Sequence, residues 1–223
     1  MTDRALSFAS LLQHGDSAFP GGSASFSWGL ETLCADGQVS DAADVEAFMA
    51  GQIAGRWATF DWPVTRHAFD HGDNLDELAR VDDLVEAQTL AGELRQGSRR
   101  AGAALLGVHA QLGTAQADDY RKRDAPGHLA VVQGLVWRGS DIDRDALAAL
   151  SAHTLCVGLL GAAIRLGVIG HVDGQRILRA MAPVIEGELT RPPRPVDEIF
   201  AFMPRTEIAS MGHETAGTRL FMN

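Results

Sequence analysis

Two histidines four residues apart, in the run Arg66-His-Ala-Phe-Asp-His71, are the first side chains whose type and spacing suit chemistry. On a helix His67 and His71 share one side, where two imidazoles can ligate a divalent metal. Asp70 or Asp73 would add oxygens, but the glutamate of an H-E-x-x-H pair is missing, so a solvated helix face competes with a metal site. His109 stands alone in a long helical pattern and reads as a core histidine rather than a base. Ser25 and Ser27 lie near glycines, without a G-x-S-x-G elbow, and read as helix caps. The turn at Gly21-Gly22 precedes a helix, whose free N–H groups suit an anion, although turn geometry alone explains the pair. Arg99-Arg100 and Arg121-Lys122-Arg123 are short basic clusters and read as solvated faces. Lys122 is the only lysine, so the chain has no G-x-x-x-x-G-K-[ST] phosphate loop. Nothing here combines a nucleophile, a base and oxyanion donors, and no catalytic residue is assigned.

The elements that would position these groups are helical. From Asp143 to Ile169, Leu147, Leu150, His153, Val157, Gly161 and Ile164 recur at three- and four-residue steps, and Leu155, Leu159 and Leu166 occupy other faces. A helix apolar nearly all round is expected to be buried. Its small residues, Gly158, Gly161, Ala162 and Ala163, leave one side thin enough for another helix to approach. Arg165 interrupts the run, which is too short to span a bilayer. Ala5 to Gln13 fits a short helix with Leu6, Ala9 and Leu12 on one side. Ser25 caps a helix over Phe26 to Leu33, and Asp41 or Asp44 opens another through Phe60. Pro63 starts a new one reaching His71. Leu75 to Arg80 is short, and a long helix runs from Asp82 to Leu112. Asp118 to Asp124 reads as a charged surface piece, and Asp173 caps a helix to about Glu188. Arg191-Pro-Pro-Arg-Pro195 reads as an extended connection. The division expected is residues 1–190 as one helical domain and residues 191–223 as a proline-rich connection and tail. Ile199, Phe200, Phe202, Met203, Leu220 and Phe221 in that tail need cover.

Composition narrows the function. The chain has 223 residues and few β-branched runs of period two, which makes the expected fold class all-α. A net charge of -10 argues against nucleic acid as the main partner. The start carries an acidic residue and no sustained apolar stretch, so no signal peptide is expected and the expected location is cytoplasmic. Cys34 and Cys156 lie far apart in apolar surroundings and read as buried free thiols.

Four ordered segments are more specific. Glu207 to Phe221 reads E-I-A-S-M-G-H-E-T-A-G-T-R-L-F, which resembles the C-terminal signature D-I-A-S-M-x-H-E-T-x-Y-S-R-L-F of the urease accessory protein UreF family. Phe19-Pro-Gly-Gly-Ser-Ala-Ser-Phe-Ser-Trp-Gly-Leu-Glu31 resembles that family's L-P-x-G-x-F-S-x-S-x-G-L-E, with one extra loop residue. Glu93-Leu-Arg-Gln-Gly-Ser98 is similar to E-L-R-x-x-S. Ala162-Ala-Ile-Arg-Leu166, followed by Gly170-His-Val-Asp-Gly-Gln175, is similar to A-A-x-R-L-x-x-x-G-x-x-x-G-Q. The departures are Gly212 in place of a basic residue, Ala216-Gly217 in place of a polar-aromatic pair, and Phe19 in place of leucine.

The resemblance implies an all-α homodimer without catalysis of its own. It implies a scaffold that bridges UreD (also called UreH) and the GTPase UreG while nickel is delivered to apo-urease. Nickel and GTP then act through the partners, and this chain binds no cofactor itself. The implied partner-binding residues are Ile208, Ser210, Met211, His213, Glu214, Arg219, Leu220 and Phe221 in the tail. Phe19, Pro20, Phe26, Glu31 and Arg165 are the others, with the N-terminal segment nearby. Alternatives are a regulator of the UreG GTPase, carried by Glu31 and Arg165, and a direct nickel chaperone using His67, His71 and His213. Neither a nucleic acid nor a membrane is an expected partner.

Overall fold

A computed structural model describes residues 2–22, 26–213 and 220–221, and among these the regular structure is helical with no strand. The all-α expectation is borne out. The elements in order are α1 (Thr2–Gly15), α2 (Leu30–Ala35), α3 (Ala42–Gln52), a π-helical stretch (Ile53–Asp61) and α4 (Trp62–Asp70). These are followed by α5 (Leu75–Gln88), α6 (Gly92–Leu112), α7 (Ala117–Arg121), α8 (Leu129–Arg138), α9 (Leu147–Arg165) and α10 (His171–Leu189). A 3-10 turn (Val196–Glu198) and α11 (Pro204–His213) end the chain.

Several boundaries differ from expectation. α4 begins at Trp62 with Pro63 in its first turn and is capped at His71, as expected, but no break precedes it, because α3, the π-helical stretch and α4 run on continuously. Proline has no N–H and crowds the carbonyl four residues back, here that of Thr59. Widening the turn relieves this, and the Trp62 N–H donates to Trp57 O, five residues back. The break near residue 81 is also absent. It falls at Thr89 to Ala91, where the Thr89 hydroxyl donates to Val85 O at 2.8 Å and ends α5. The helix expected from Phe26 begins only at Leu30, after Gly29 at φ 84°, and the cap proposed at Ser25 lies outside the described residues. The charged piece near residue 120 is helix α7, and its Tyr120 is buried.

Two apolar clusters share the interior. One joins α4, α5, α6 and α8 around Val64, Leu78, Leu106, Val131 and Trp137. The other joins α2, α3, α9 and α10 around Leu30, Met49, Trp57, Cys156 and Met181. Trp62 packs against both. α4 and α8 are the most intimate pair. Gly134 makes this possible, since a Cβ there would stand 2.6 Å from Ala68 Cβ and 2.7 Å from Phe69 N. The tail supplies Val196 and Ile199 to the first cluster and Ala209 and Phe221 to the second. Cys156 is a buried free thiol as expected, and Cys34 is half-buried. Desolvation pushes both up, to about 12 and about 11, with Glu31 adding to the shift at Cys34.

α9 is not buried all round. It is long and apolar enough to cross a membrane, but half of its apolar window is inside the fold and the remainder faces a cleft. α1 also departs from expectation: it turns Leu6, Ala9 and Leu12 outward rather than toward the core.

Asp82 is wholly buried and holds the connection into α8. It accepts from Gly127 N at 2.5 Å, His128 N at 2.8 Å and Tyr120 Oη at 2.8 Å. Burial raises its carboxyl above the usual range against these three donors. Replacing Asp82 by Ala strands all three donors, and urea unfolding is expected to show a loss of ~3–5 kcal/mol. Tyr120→Phe removes one donor and should cost ~1 kcal/mol.

Candidate partner-docking site

The four segments singled out by their residue patterns meet at one place. His213, at the end of α11, is buried, with Nδ1 2.6 Å from Glu93 Oε2 on α6 and Nε2 3.2 Å from Glu31 Oε2 on α2. Both ring nitrogens thus face carboxylate oxygens. Glu31 also holds the end of the tail. Its Oε1 accepts from Leu220 N at 2.7 Å and its Oε2 from Phe221 N at 3.1 Å. Phe221 is buried, and the Arg165 guanidinium of α9 sits 4.5 Å above its ring.

Local structure sets this up. Gly29 at φ 84° turns the chain into α2 and lets α11 close in, since a Cβ there would meet Thr206 O at 3.0 Å and Ser210 Oγ at 3.1 Å. Ser210 is fully buried against that turn. Gln52 Nε2 of α3 donates to Thr206 Oγ1 at 3.0 Å and fixes the start of α11. Ahead of α11, residues Ile199 to Met203 are extended along the π-helical stretch. Phe200 N donates to Thr59 O at 3.2 Å and Phe202 N to Gly55 O at 2.9 Å.

The expected site residues therefore divide by position. Glu31, Arg165, His213 and Phe221 come together, with Glu93 as a member that the sequence reading quoted in a motif but did not assign. Its i, i+3 and i+4 surroundings on α6 gave no sign of a partner more than a hundred residues away. Ile208 (70% exposed), Met211 and Leu220 (73% exposed) turn outward from the same cluster. Glu214 and Arg219 lie outside the described residues. Phe26 is buried, 5.9 Å from Trp28 between ring centroids. Phe19 and the exposed Pro20 belong to a different region, where Phe19 packs 4.9 Å from His14 and 5.7 Å from His109. His109 is the core histidine expected, and burial holds it down at about 4.

The His67–His71 pair is stacked at 4.1 Å, and its geometry favours a surface network over a metal centre. His67 Nε2 faces Glu77 Oε1 at 2.7 Å, and His71 Nδ1 donates to His67 O at 2.9 Å. Among the described residues no group of three or more His, Cys, Asp or Glu could hold a metal ion.

A cleft of about 700 Å³ runs between α1, the π-helical stretch, α8, α9 and α10. Thr154, Leu155, Val157, Gly161 and Ile164 of α9 form part of its wall. The Arg56 Nε donates to Asp61 Oδ2 at 3.1 Å within it, and burial raises the Asp61 carboxyl while Arg56 opposes the shift.

Replacing Glu31 by Ala removes the acceptors of the Leu220 and Phe221 N–H groups and one partner of His213. The expected outcome is faster hydrogen exchange over residues 207–213 and 220–221 by about ten-fold or more, with the α4–α8 core unchanged. Equal protection of the tail in the variant would show that the carboxylate does not hold it.

A family model described as UreF matches residues 39–182. A protein of Trichodesmium erythraeum called urease accessory protein UreF is 31% identical over 221 residues, covering 96% of this chain and 95% of the relative. Proteins of the same name from Cereibacter sphaeroides (32% over 213 residues) and Kocuria rhizophila (29% over 227 residues) are covered to 96% and 95% of their lengths, by 95% and 96% of this chain.

Proposed function

The chain belongs to the urease accessory protein UreF family, and from that premise we propose that it acts as a non-enzymatic scaffold in urease maturation, bridging UreD (UreH) and the GTPase UreG. The observation that carries this reading is the clamp on the tail. Glu31, Glu93 and Arg165 hold His213 and Phe221 inside, and the same clamp presents Ile208, Met211 and Leu220 to solvent. Apolar side chains fixed outward on an ordered backbone are what a partner's apolar groove recognises. Phe8 and Leu12, one turn apart and exposed on α1, form a second such face, and no charged residue lies between Ala5 and Gln13. These two faces are assigned to UreD. Arg219 stays in the proposed interface as a planar fork for carbonyl or carboxylate groups.

Self-association fits the cleft. The cleft-facing side of α9 is half-buried, with Leu155, Val157, Gly158, Gly161 and Ile164 beside His153 and Thr154, and a second copy of the chain would cover it. Nickel and GTP are handled through the partners, the working compartment is the cytoplasm, and apo-urease is the client. A regulatory effect on UreG would act through the assembled complex, since Glu31 and Arg165 are engaged with the tail. A nickel chaperone role has less support, because both ring nitrogens of His213 face carboxylates and His67 is paired with Glu77.

Co-expression with the cognate UreD and UreG tests the scaffold. The parent protein should bring down both, and Ile208→Asp with Met211→Asp should lose UreD by about ten-fold or more. Failure of the parent to bind either partner would remove the scaffold reading. Gly161→Arg tests the dimer face. A Cβ at Gly161 meets nothing within 4 Å, so the fold should tolerate the change while self-association falls by roughly ten-fold in sedimentation. An unchanged mass distribution would place the contact elsewhere.

A further inference from the structure

The two faces assigned to UreD and to a second copy are joined by a continuous line of contacts, and the π-helical stretch lies in the middle of it. From α11 the chain leads back to the strap Ile199–Met203. The strap's Phe202 and Phe200 N–H groups end on the carbonyls of Gly55 and Thr59. Neither carbonyl is incidental. Pro63 stands four residues beyond Thr59 and has no N–H to give it, so Thr59 O lacks its α-helical donor in any register. Gly55 lets the strap lie flush, since a Cβ there would meet Met203 Sδ at 2.5 Å and Phe202 O at 3.0 Å. Trp57, two residues on, reaches the opposite way, and its Nε1 donates to Ser151 Oγ of α9 at 3.0 Å in a buried bond. The line therefore runs from tail to strap, to widened helix, to Trp57, to α9.

We infer that the strap sets the position of the widened turn and so couples occupancy of the tail to the α9 face. The extra residue of the wide turn cannot be lost, because its removal would rotate α4 by about 100° out of its seat on α8. It can move along the helix. With the strap docked, the wide turn sits over Ile53–Asp61 and Trp57 reaches Ser151. With the strap lifted, Thr59 O loses the Phe200 N–H and Gly55 O loses the Phe202 N–H, keeping the Thr59 hydroxyl at 3.4 Å. The favoured place for the wide turn then shifts toward Pro63, where the ring still demands it, and the residues in between rotate. Trp57 leaves Ser151, and the wall of the cleft formed by α9 loses a tether. A partner that grips α11 and draws the strap with it would alter self-association, and a dimer would by the same linkage alter the partner's grip.

The self-association half of this inference rests on the dimer reading above, and the Trp57 half does not. The test is Phe202→Pro, which deletes the N–H at an extended position, against Phe202→Ala, which keeps the N–H and removes a ring that is 72% exposed. The first readout is the Trp57 indole N–H resonance in the full-length protein, assigned by its loss in Trp57→Phe. The second is the self-association constant. Phe202→Pro is expected to shift the resonance and weaken self-association by about ten-fold, while Phe202→Ala does neither. Should Phe202→Pro not fold, Phe200→Pro removes the bond to Thr59 O and is read the same way. An unmoved Trp57 resonance in the folded proline variant, or an equal shift in Phe202→Ala, overturns the coupling. If the parent is monomeric, the dimer reading falls, and the resonance still decides whether the strap controls the helix.

Discussion

Carboxylates that accept backbone N–H groups, Asp82 fully buried and Glu31 half-buried, are the constraint on which this structure turns. Asp82 receives the Gly127 and His128 N–H groups and orients the entry to α8. Glu31 receives the Leu220 and Phe221 N–H groups and closes the tail onto α2. At Asp82 the connecting segment would otherwise bury donors without partners, each costing ~1–3 kcal/mol. A carboxylate suits this task because it presents two oxygens and can gather groups from segments distant in sequence. Each acid sits on a helix that also sends apolar side chains into the core, Leu78, Val81 and Val85 beside Asp82 and Leu30 and Leu33 beside Glu31. The helix is anchored in the core, and the acid on it becomes a fixed point to which a loop or a tail is tied.

The widened helix is a second expression of the same requirement. Pro63 has no N–H to give Thr59 O at the α-helical spacing, and the strap supplies a donor from Phe200. Once that bond exists, the chain beyond Pro195 has a reason to lie across α3 and α4 rather than away from them. Val196 and Ile199 enter the core behind it. Backbone satisfaction and apolar burial thus act together on the same short stretch, which is why a segment that opens with prolines ends as an ordered strap.

Helical periodicity made much of this legible in advance. The apolar steps of α3, α6, α9 and α10 identified their cores, and Asp41 caps α3 through Asp44 N as its position suggested. Misreadings came where local rules compete with tertiary ones. Pro63 marks a first turn, as its residue type suggests, but packing of α4 on α8 carries the helix into it from α3 through a wide turn where a break was the simpler expectation. Thr89 to Ala91 gave no glycine or proline to mark a break. Leu6, Ala9 and Leu12 showed the spacing of a core face, and spacing alone does not say whether the face covered is this chain's or another's. α9 was expected to be buried because it is apolar, and its uncovered half again shows that hydropathy reports a need for cover, not where the cover comes from.

The candidate site was legible in its parts and not in its assembly. Glu31, Arg165, His213 and Phe221 each stood out in a separate motif, yet nothing in a motif states that an acid on α2 and a histidine on α11 share a bond. Their meeting changes the energetics assigned to the tail. A greasy segment after a proline run reads as one that orders only on binding, at the entropic expense of coupled folding. Here α11 and Phe221 are already packed against the body, so the ordering of those residues is met by folding. A partner that docks on Ile208, Met211 and Leu220 meets side chains on a backbone already set, and a larger share of the contact energy appears as affinity. The clamp also makes the cost of pulling the tail away definite. Lifting it exposes Phe221, parts His213 from two carboxylates and strips the donors from Glu31 together, so displacement is resisted as a unit rather than residue by residue.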